Sequence, residues 1–525
     1  MTENIKIQKL DYLIICAIAC LSFIIIYPFS IREFDVHHTG LMFQMAHDVA
    51  NGKKMFSEVF NQYGVLPVLI QAGFIKLFGD KVKSIILSAV ISYVITYCLN
   101  YLCFYRFIGR FGAFFTTMVL ISLAPFYFIY WTFLPWSSVY ALMLLMCTML
   151  FFEDYLINKN DKSWYISAIC AFGVFLSRQP VGIVVILSFG VIAVSFYIIS
   201  FRQINKLDWI KWWIILLVLF LIYFAAIYIF CGKTGLRDYY LQMIVWPILW
   251  SDSASGINTL IVHLFPLTDH SKSWTIVPVC CLLIYFIMLI KLYLSRKEPK
   301  DINSIVMLGF SVFSVASWAQ YYPITCIRHL FWSVFPMIGV FTWGLISFFS
   351  KVIKQYGDKI HIDSSQYKKF VTIAFLMVTI LLWGGEIFLR FKGGILKLIN
   401  GNHTYEDSSG YEFLDGIMIS DDEIIYYADL HRTVKELEYS TGSPVLNLTR
   451  DAYYSTFTDT DDEPLFLFGG MAAGIYENYH SDVQDYINIQ HPIILTGATE
   501  ANEYSLENYR LYTTINSMKI YVYAD

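Results

Sequence analysis

The sequence predicts an all-α polytopic membrane domain of about eleven transmembrane helices, followed by a small soluble α/β domain. Three observations carry that prediction. Hydrophobic residues make up 57% of the 525 and charged residues only 15%, against about a quarter charged in soluble domains. The apolar residues come in blocks near the ~20 residues that a helix needs to cross a hydrocarbon core of ~30 Å. After residue 390 the character changes abruptly, with acidic runs at Asp421-Asp422-Glu423 and Asp461-Asp462-Glu463 and no membrane-length block.

The apolar blocks fall near 11–29, 84–105, 112–130, 136–152, 163–177, 181–200, 212–230, 275–294, 304–319, 329–349 and 370–389. The first is long, lacks an A-x-A cleavage site and is followed by further spans, so it reads as a retained helix rather than a leader. Basic residues orient the set. With Lys6 and Lys9 in the cytoplasm, alternate connections hold Arg106/Arg110, Lys159/Lys162, Arg202/Lys206/Lys211, Lys291/Arg296/Lys297/Lys300 and Lys351/Lys354/Lys359/Lys368/Lys369. The short outer connections are almost free of them, which is the asymmetry the positive-inside rule describes. The N-terminus is therefore expected inside and the C-terminal domain outside.

Two outer loops, about 30–82 and 231–273, are too long for simple turns. Within the first, Val65–Phe78 is apolar but short and is expected to lie at the interface. Residues 1–390 form the membrane domain and 391–525 an extracytoplasmic domain large enough to hold its own fold. There, Pro444–Thr449, Leu465–Phe468 and Pro492–Thr496 read as buried strands. Ala428–Tyr439 reads as a helix stopped by Gly442, and Tyr509–Ile515 with Met518–Tyr523 as a closing hairpin.

Several classes of function are excluded or disfavoured. A net charge of -4 with no basic stripe gives nucleic acid nothing to bind. No GxGxxG fingerprint is present. The ten cysteines include no CxxC pair and none lies in the polar tail, so they read as small apolar side chains of membrane helices.

Chemistry concentrates in the first outer loop, IREFDVHHTGLMFQMAHDVANGKKMFSEVFNQYGVLP, which packs Glu33, Asp35, His37, His38, His47, Asp48 and Glu58 into a short stretch at a membrane boundary. A solvated loop collects such residues too. Here, however, Glu33 and Asp35 directly follow a span, where desolvation tunes a carboxylate, and Leu41–Val49 has helical spacing, so the acids cap a helix. Arg178 and Arg328 stand outside against the charge bias, which argues for a role beyond snorkelling. Trp131, Trp136, Trp246 and Trp250 suit interfacial anchoring better than sugar stacking. Asp35 with His37-His38 suggests a divalent metal, but adjacent histidines point different ways on a helix and no third ligand is evident; no cofactor is assigned, and a divalent metal stays the alternative.

The acid after the first span, the helix ending at Gly52 and Phe56, then Glu58, Phe60-Asn61-Gln62, Pro67 and Lys76-Leu77-Phe78-Gly79, resemble the glycosyltransferase C superfamily. The similarity is to protein O-mannosyltransferases and lipid A aminoarabinose transferases. Ser177-Arg178-Gln179-Pro180-Val181-Gly182 and Tyr322-Pro323…Arg328-His329…Pro336 fit the same layout. The resemblance implies a membrane glycosyltransferase moving a sugar from a polyprenyl-phosphate donor to a glycan or glycolipid acceptor on the outer face of a bacterial inner membrane. Asp35 would be the base, with Glu33 or His38 as alternatives, because counting back from Gly52 brings the family's acid to His38 or Thr39. His37, Glu58, Arg178, Arg328 and His329 would bind substrate. Rival readings are a transporter or flippase of lipid-linked oligosaccharide, a polysaccharide polymerase or ligase, and a non-catalytic envelope assembly protein. A transporter would show charged or broken helices at mid-membrane and two related halves, and the spans here are nearly charge-free.

Overall fold

Every apolar block is helical in the computed structural model, which describes residues 8–32, 34–127, 134–249, 272–299, 301–321, 327–357, 364–385, 387–388, 392, 403–404, 412–457, 474–497 and 503–524. In chain order the helices begin with α1 (Lys9–Ser30), α2 (His38–Ala50), α3 (Val65–Phe78), α4 (Val82–Tyr127), α5 (Ser137–Asn158), α6 (Asp161–Ser177), α7 (Gln179–Ile198) and α8 (Lys206–Tyr240). Helices Lys272–Leu294, Ile302–Ala316, Ile327–Gly357 and Ser364–Thr379 complete the apolar set. Among the described residues, eight stretches are long and apolar enough to cross a membrane, α1 among them.

One of the eight, Val82–Leu123, holds two of the sequence blocks. Gly109 breaks it with φ 76° and ψ 163°, a backbone state that glycine adopts without steric cost. The Asn100 amide donates to Thr117 Oγ1 at 2.9 Å. Residues 17 apart on a straight helix would stand ~25 Å apart, so the chain reverses at Gly109. A second reversal at Gly232 brings the Tyr223 and Tyr239 rings to 5.8 Å.

The bundle packs through aromatic rings. Phe152, Trp164, Phe189, Trp212 and Phe313 interlock, with Phe189 and Trp212 centroids 4.0 Å apart. Large apolar side chains are left exposed on the outer faces, including Leu13 and Ile24 on α1, Leu187 and Val194 on α7, and Leu217, Leu221 and Ile222 on α8. Continuous apolar surface of that extent belongs in lipid, and the protein is an integral membrane protein.

The two ends of the bundle differ. At one, ion pairs fasten helix to helix: Arg110 forks onto Asp11 at 2.7 and 3.0 Å, and Arg106 lies 3.5 Å from buried Glu153. At the other end sit α2, α3 and the polar C-terminal part. That part contains a four-stranded sheet ordered β1-β2-β4-β3, from β1 (Val445–Asn447), β2 (Ile493–Thr496), β3 (Tyr509–Ile515) and β4 (Met518–Tyr523). The first pair is parallel, with helix Tyr479–Gln490 in the crossover, and the last is the expected hairpin. Helix Asp421–Thr441 carries a capping box from Ser420 and Glu423 and stops at Gly442 with φ 68°. Two of the three buried strands expected here are observed; Leu465–Phe468 lies outside the described residues.

Both parts share one hydrophobic core. Leu41 and Phe43 of α2 cluster with Tyr427, Leu430, Tyr453 and Phe457. The Met418 N–H donates to Ile31 O at 2.7 Å, joining the C-terminal part to the end of α1. Lys81 Nζ reaches Asp415 Oδ2 at 2.5 Å.

Candidate functional site

The first loop folds around Asp35. Its Oδ1 accepts the backbone N–H groups of His37 and His38, both at 3.1 Å, and its Oδ2 lies 2.9 Å from His38 Nδ1. An acid ahead of a helix finds unsatisfied N–H groups waiting, so Asp35 caps α2 as its position in sequence implied. Burial pushes the Asp35 carboxyl up, but the His38 ring and the two N–H bonds outweigh it and hold the carboxyl below its ordinary value. An ionised carboxylate only accepts. Nδ1 of His38 therefore carries the proton, and in the neutral ring Nε2 is the basic nitrogen.

The neighbouring His37 takes a different carboxylate, Asp451 of the C-terminal part, at 2.9 Å from its Nδ1. The two rings meet edge to face, 4.9 Å apart. At the far end of α2, His47 pairs with Asp80 at 2.8 Å. Burial pushes the Asp48 carboxyl up despite Lys53, His47 and Gln44 beside it. The carboxyl just ahead of this short helix and the one in its last turn are thus driven in opposite directions.

Arg178 joins this loop through α5. The His38 ring lies 5.4 Å from that of Trp136, the residue before α5, and Trp136 lies 4.4 Å from Tyr63. Two residues on, Ser138 Oγ accepts a hydrogen bond from the Arg178 guanidinium. The Asn61–Gly64 turn closes the circle. Asn61 Oδ1 accepts from the N–H groups of Tyr63 and Gly64, and its Nδ2 donates to Gly64 O. Gly64 rests directly on the carbonyls of Leu176 and Ser177, which precede Arg178. The motifs FNQYG and SRQP, far apart in sequence, are one piece of structure.

A second strut comes from the chain after Gly232. Gln242 Oε1 accepts from Asn61 N–H at 2.9 Å, and its Nε2 donates to Phe56 O and Tyr476 OH. Trp246 Nε1 donates to Gln62. Phe56, held by the Gln242 bond to its carbonyl and by its own N–H to Val59 O, is left-handed with φ 72°, which a bulky side chain adopts only when its surroundings impose it.

Of the residues expected to serve the site, Asp35, His37 and His38 come together, and Arg178 is linked to them through Ser138 and Trp136. Glu58 is exposed and turns back on its own loop, accepting from Lys54 N–H at 2.6 Å. His329 is buried, its ring 5.4 Å from that of Trp332, which donates to Tyr93 OH at 2.8 Å. Glu33 and the side chain of Arg328 lie outside the described residues. Three participants escaped the sequence reading: Ser138, Gln242 and Asp451. A lone Ser or Gln in an apolar run carries no signal of its own, and Asp451 stands 414 residues from its partner. Among the described residues no three His, Cys, Asp or Glu side chains gather as a metal would require.

No family model and no curated protein sequence matches the chain. Among solved structures it is similar to ArnT from Cupriavidus metallidurans bound to undecaprenyl phosphate, at 12% identity and a TM-score of 0.49, with 97% of each chain covered. The same protein in the apo state matches at 11% identity and a TM-score of 0.49, over 97% of each chain. An Archaeoglobus fulgidus oligosaccharyltransferase in complex with Zn and sulfate matches at 10% identity and a TM-score of 0.49, over 91% of this chain and 68% of that one.

Proposed function

We propose that this protein is a membrane glycosyltransferase that moves a sugar from a polyprenyl-phosphate donor to a glycan or glycolipid acceptor at the membrane surface bearing α2. The observation that carries the reading is the Asp35–His38 pair, linked through Trp136 and Ser138 to Arg178. An oriented base and a cation stand at the end of the bundle that bears α2 and the C-terminal part. His38 Nε2 takes the proton of the acceptor hydroxyl while its oxygen bonds to the anomeric carbon. The bond from that carbon to the phosphate oxygen breaks, and the polyprenyl phosphate leaves with the electron pair. Arg178 stabilises the charge that develops on it. Asp35 fixes the His38 tautomer and supports the imidazolium, the part an acid plays behind a catalytic histidine. The prenyl chain is held by the apolar outer faces of the helices.

The membrane is read as a bacterial cytoplasmic membrane, with the N-terminus inside and the C-terminal domain outside. The test is release of polyprenyl phosphate from the organism's own lipid-linked sugars, followed by mass spectrometry. His38→Gln should lower turnover about a hundredfold or more, the usual scale for a lost general base. Asp35→Asn should follow it, and Arg178→Ala should weaken binding of undecaprenyl phosphate, with Arg178→Lys keeping part. Wild-type turnover in all of these variants would overturn the reading.

A further inference from the structure

We propose that Asp451 is a positioning residue of this site, supplied by the C-terminal part, and that it acts on His38 through His37. The inference rests on the function proposed above. Asp451 Oδ1 lies 2.9 Å from His37 Nδ1, His37 meets the His38 ring edge to face at 4.9 Å, and His38 pairs with Asp35. The two carboxylates thus bracket the two rings, one from each part of the molecule.

The presentation of Asp451 is built. Its N–H donates to Thr449 Oγ1 at 3.1 Å. Its carbonyl accepts from Asn447 Nδ2 at 2.9 Å and from Thr449 Oγ1 at 3.3 Å, and Asn447 also bonds Ser455. Two residues on, Tyr453 seats on the first turn of α2. A Cβ at Gly40 would fall 2.8 Å from Tyr453 Cβ, and Phe34 stacks edge-on against the Tyr453 ring at 4.7 Å. Apolar packing alone would dock the two parts. A partly solvated carboxylate aimed at a histidine ring adds orientation, which docking does not need, and a charge-assisted hydrogen bond is the strong form of that restraint. The consequence is that the C-terminal part shares in setting the geometry of proton transfer.

Turnover is measured on the full chain in nanodiscs, as polyprenyl phosphate released from the organism's own lipid-linked sugars at limiting and saturating amounts. Asp451→Ala should lower kcat about tenfold and leave KM within about twofold, because it misaligns a reacting group without removing a substrate contact. Asp451→Glu should recover part of the loss. The double variant with His37→Gln should be no worse than the worse single variant, since both break one link. Amide exchange across 38–50 and 445–457 reports whether docking survives; should Asp451→Ala undock, Asp451→Asn and His37→Gln carry the cycle. A wild-type kcat in docked Asp451 variants, or losses that multiply in the double, would overturn the proposal. Full activity in His38→Gln and Asp35→Asn would instead overturn the underlying function.

Discussion

Replacing Gly64 by alanine tests how the two sequence motifs are fastened together. Gly64 has φ 133° and ψ 152°, close to a region that only glycine populates freely, and a side chain there costs about 1–3 kcal/mol. The added methyl also has no room. It would lie 2.5 Å from Leu176 O and 2.7 Å from Ser177 C, and it would press on Ser177 O as well. These are backbone atoms that cannot swing aside, and overpacking of this kind costs about 1–3 kcal/mol. Together the loss comes to about 2–6 kcal/mol. Because Leu176 and Ser177 lead into Arg178, relief of the clash moves the guanidinium away from Ser138. The assay is denaturant unfolding in identical nanodiscs, paired with affinity for undecaprenyl phosphate. Gly73→Ala is the control, since nothing lies within 4 Å of a Cβ there, and its helix should gain up to about 1 kcal/mol. Gly64→Ala with wild-type stability and wild-type affinity would refute the argument.

The other expectations concern pH, the opposite end of the bundle and topology. The folded-state pKa of Asp35 is depressed, so its capping bonds stabilise the loop above the unfolded value of about 3.9 and are lost as pH falls through the lower folded value. Protection factors for the amides of 37–41 should stay level down to the ordinary carboxylate range and drop below it; loss of protection near neutral pH would contradict this. Arg106→Ala leaves buried Glu153 without its partner and should destabilise by about 1–3 kcal/mol, the cost of an unsatisfied buried polar group, with Glu153→Gln restoring part in the double variant. An unchanged unfolding midpoint in Arg106→Ala would sink that view. A reporter fused after Asp525 should be active outside the cytoplasm and silent within it, and the reverse result would invert the proposed orientation.

What the sequence disclosed and what it hid follow from the range of the interactions concerned. Run length alone located the helices, because a bilayer-length apolar block has few other folds open to it. The Asp35 cap was legible because a helix N-terminus and its capping acid are neighbours in the chain. So was the hairpin around Asn516, whose φ of 52° suits asparagine. Glu58 had the right type and place for a ligand, yet its nearest unsatisfied donor was Lys54 N–H four residues back, and the loop used it locally. Ser138, Gln242 and Asp451 hold the site only through contacts between distant segments. No local pattern marks a residue whose partner is chosen by tertiary packing.

The bond between His37 and Asp451 also sets a schedule. At synthesis rates of ~5–20 residues per second, the 414 residues between them take roughly 20–80 s to make. For that interval α2 is complete while Tyr453, Phe457 and Asp451, which cover and brace it, do not yet exist. Every apolar block lies before residue 390, so the bundle can be inserted with its surface loop still unbraced. A soluble segment made late thus finishes a loop made early, and a chain cut short before residue 451 would carry every apolar block described above without that closure.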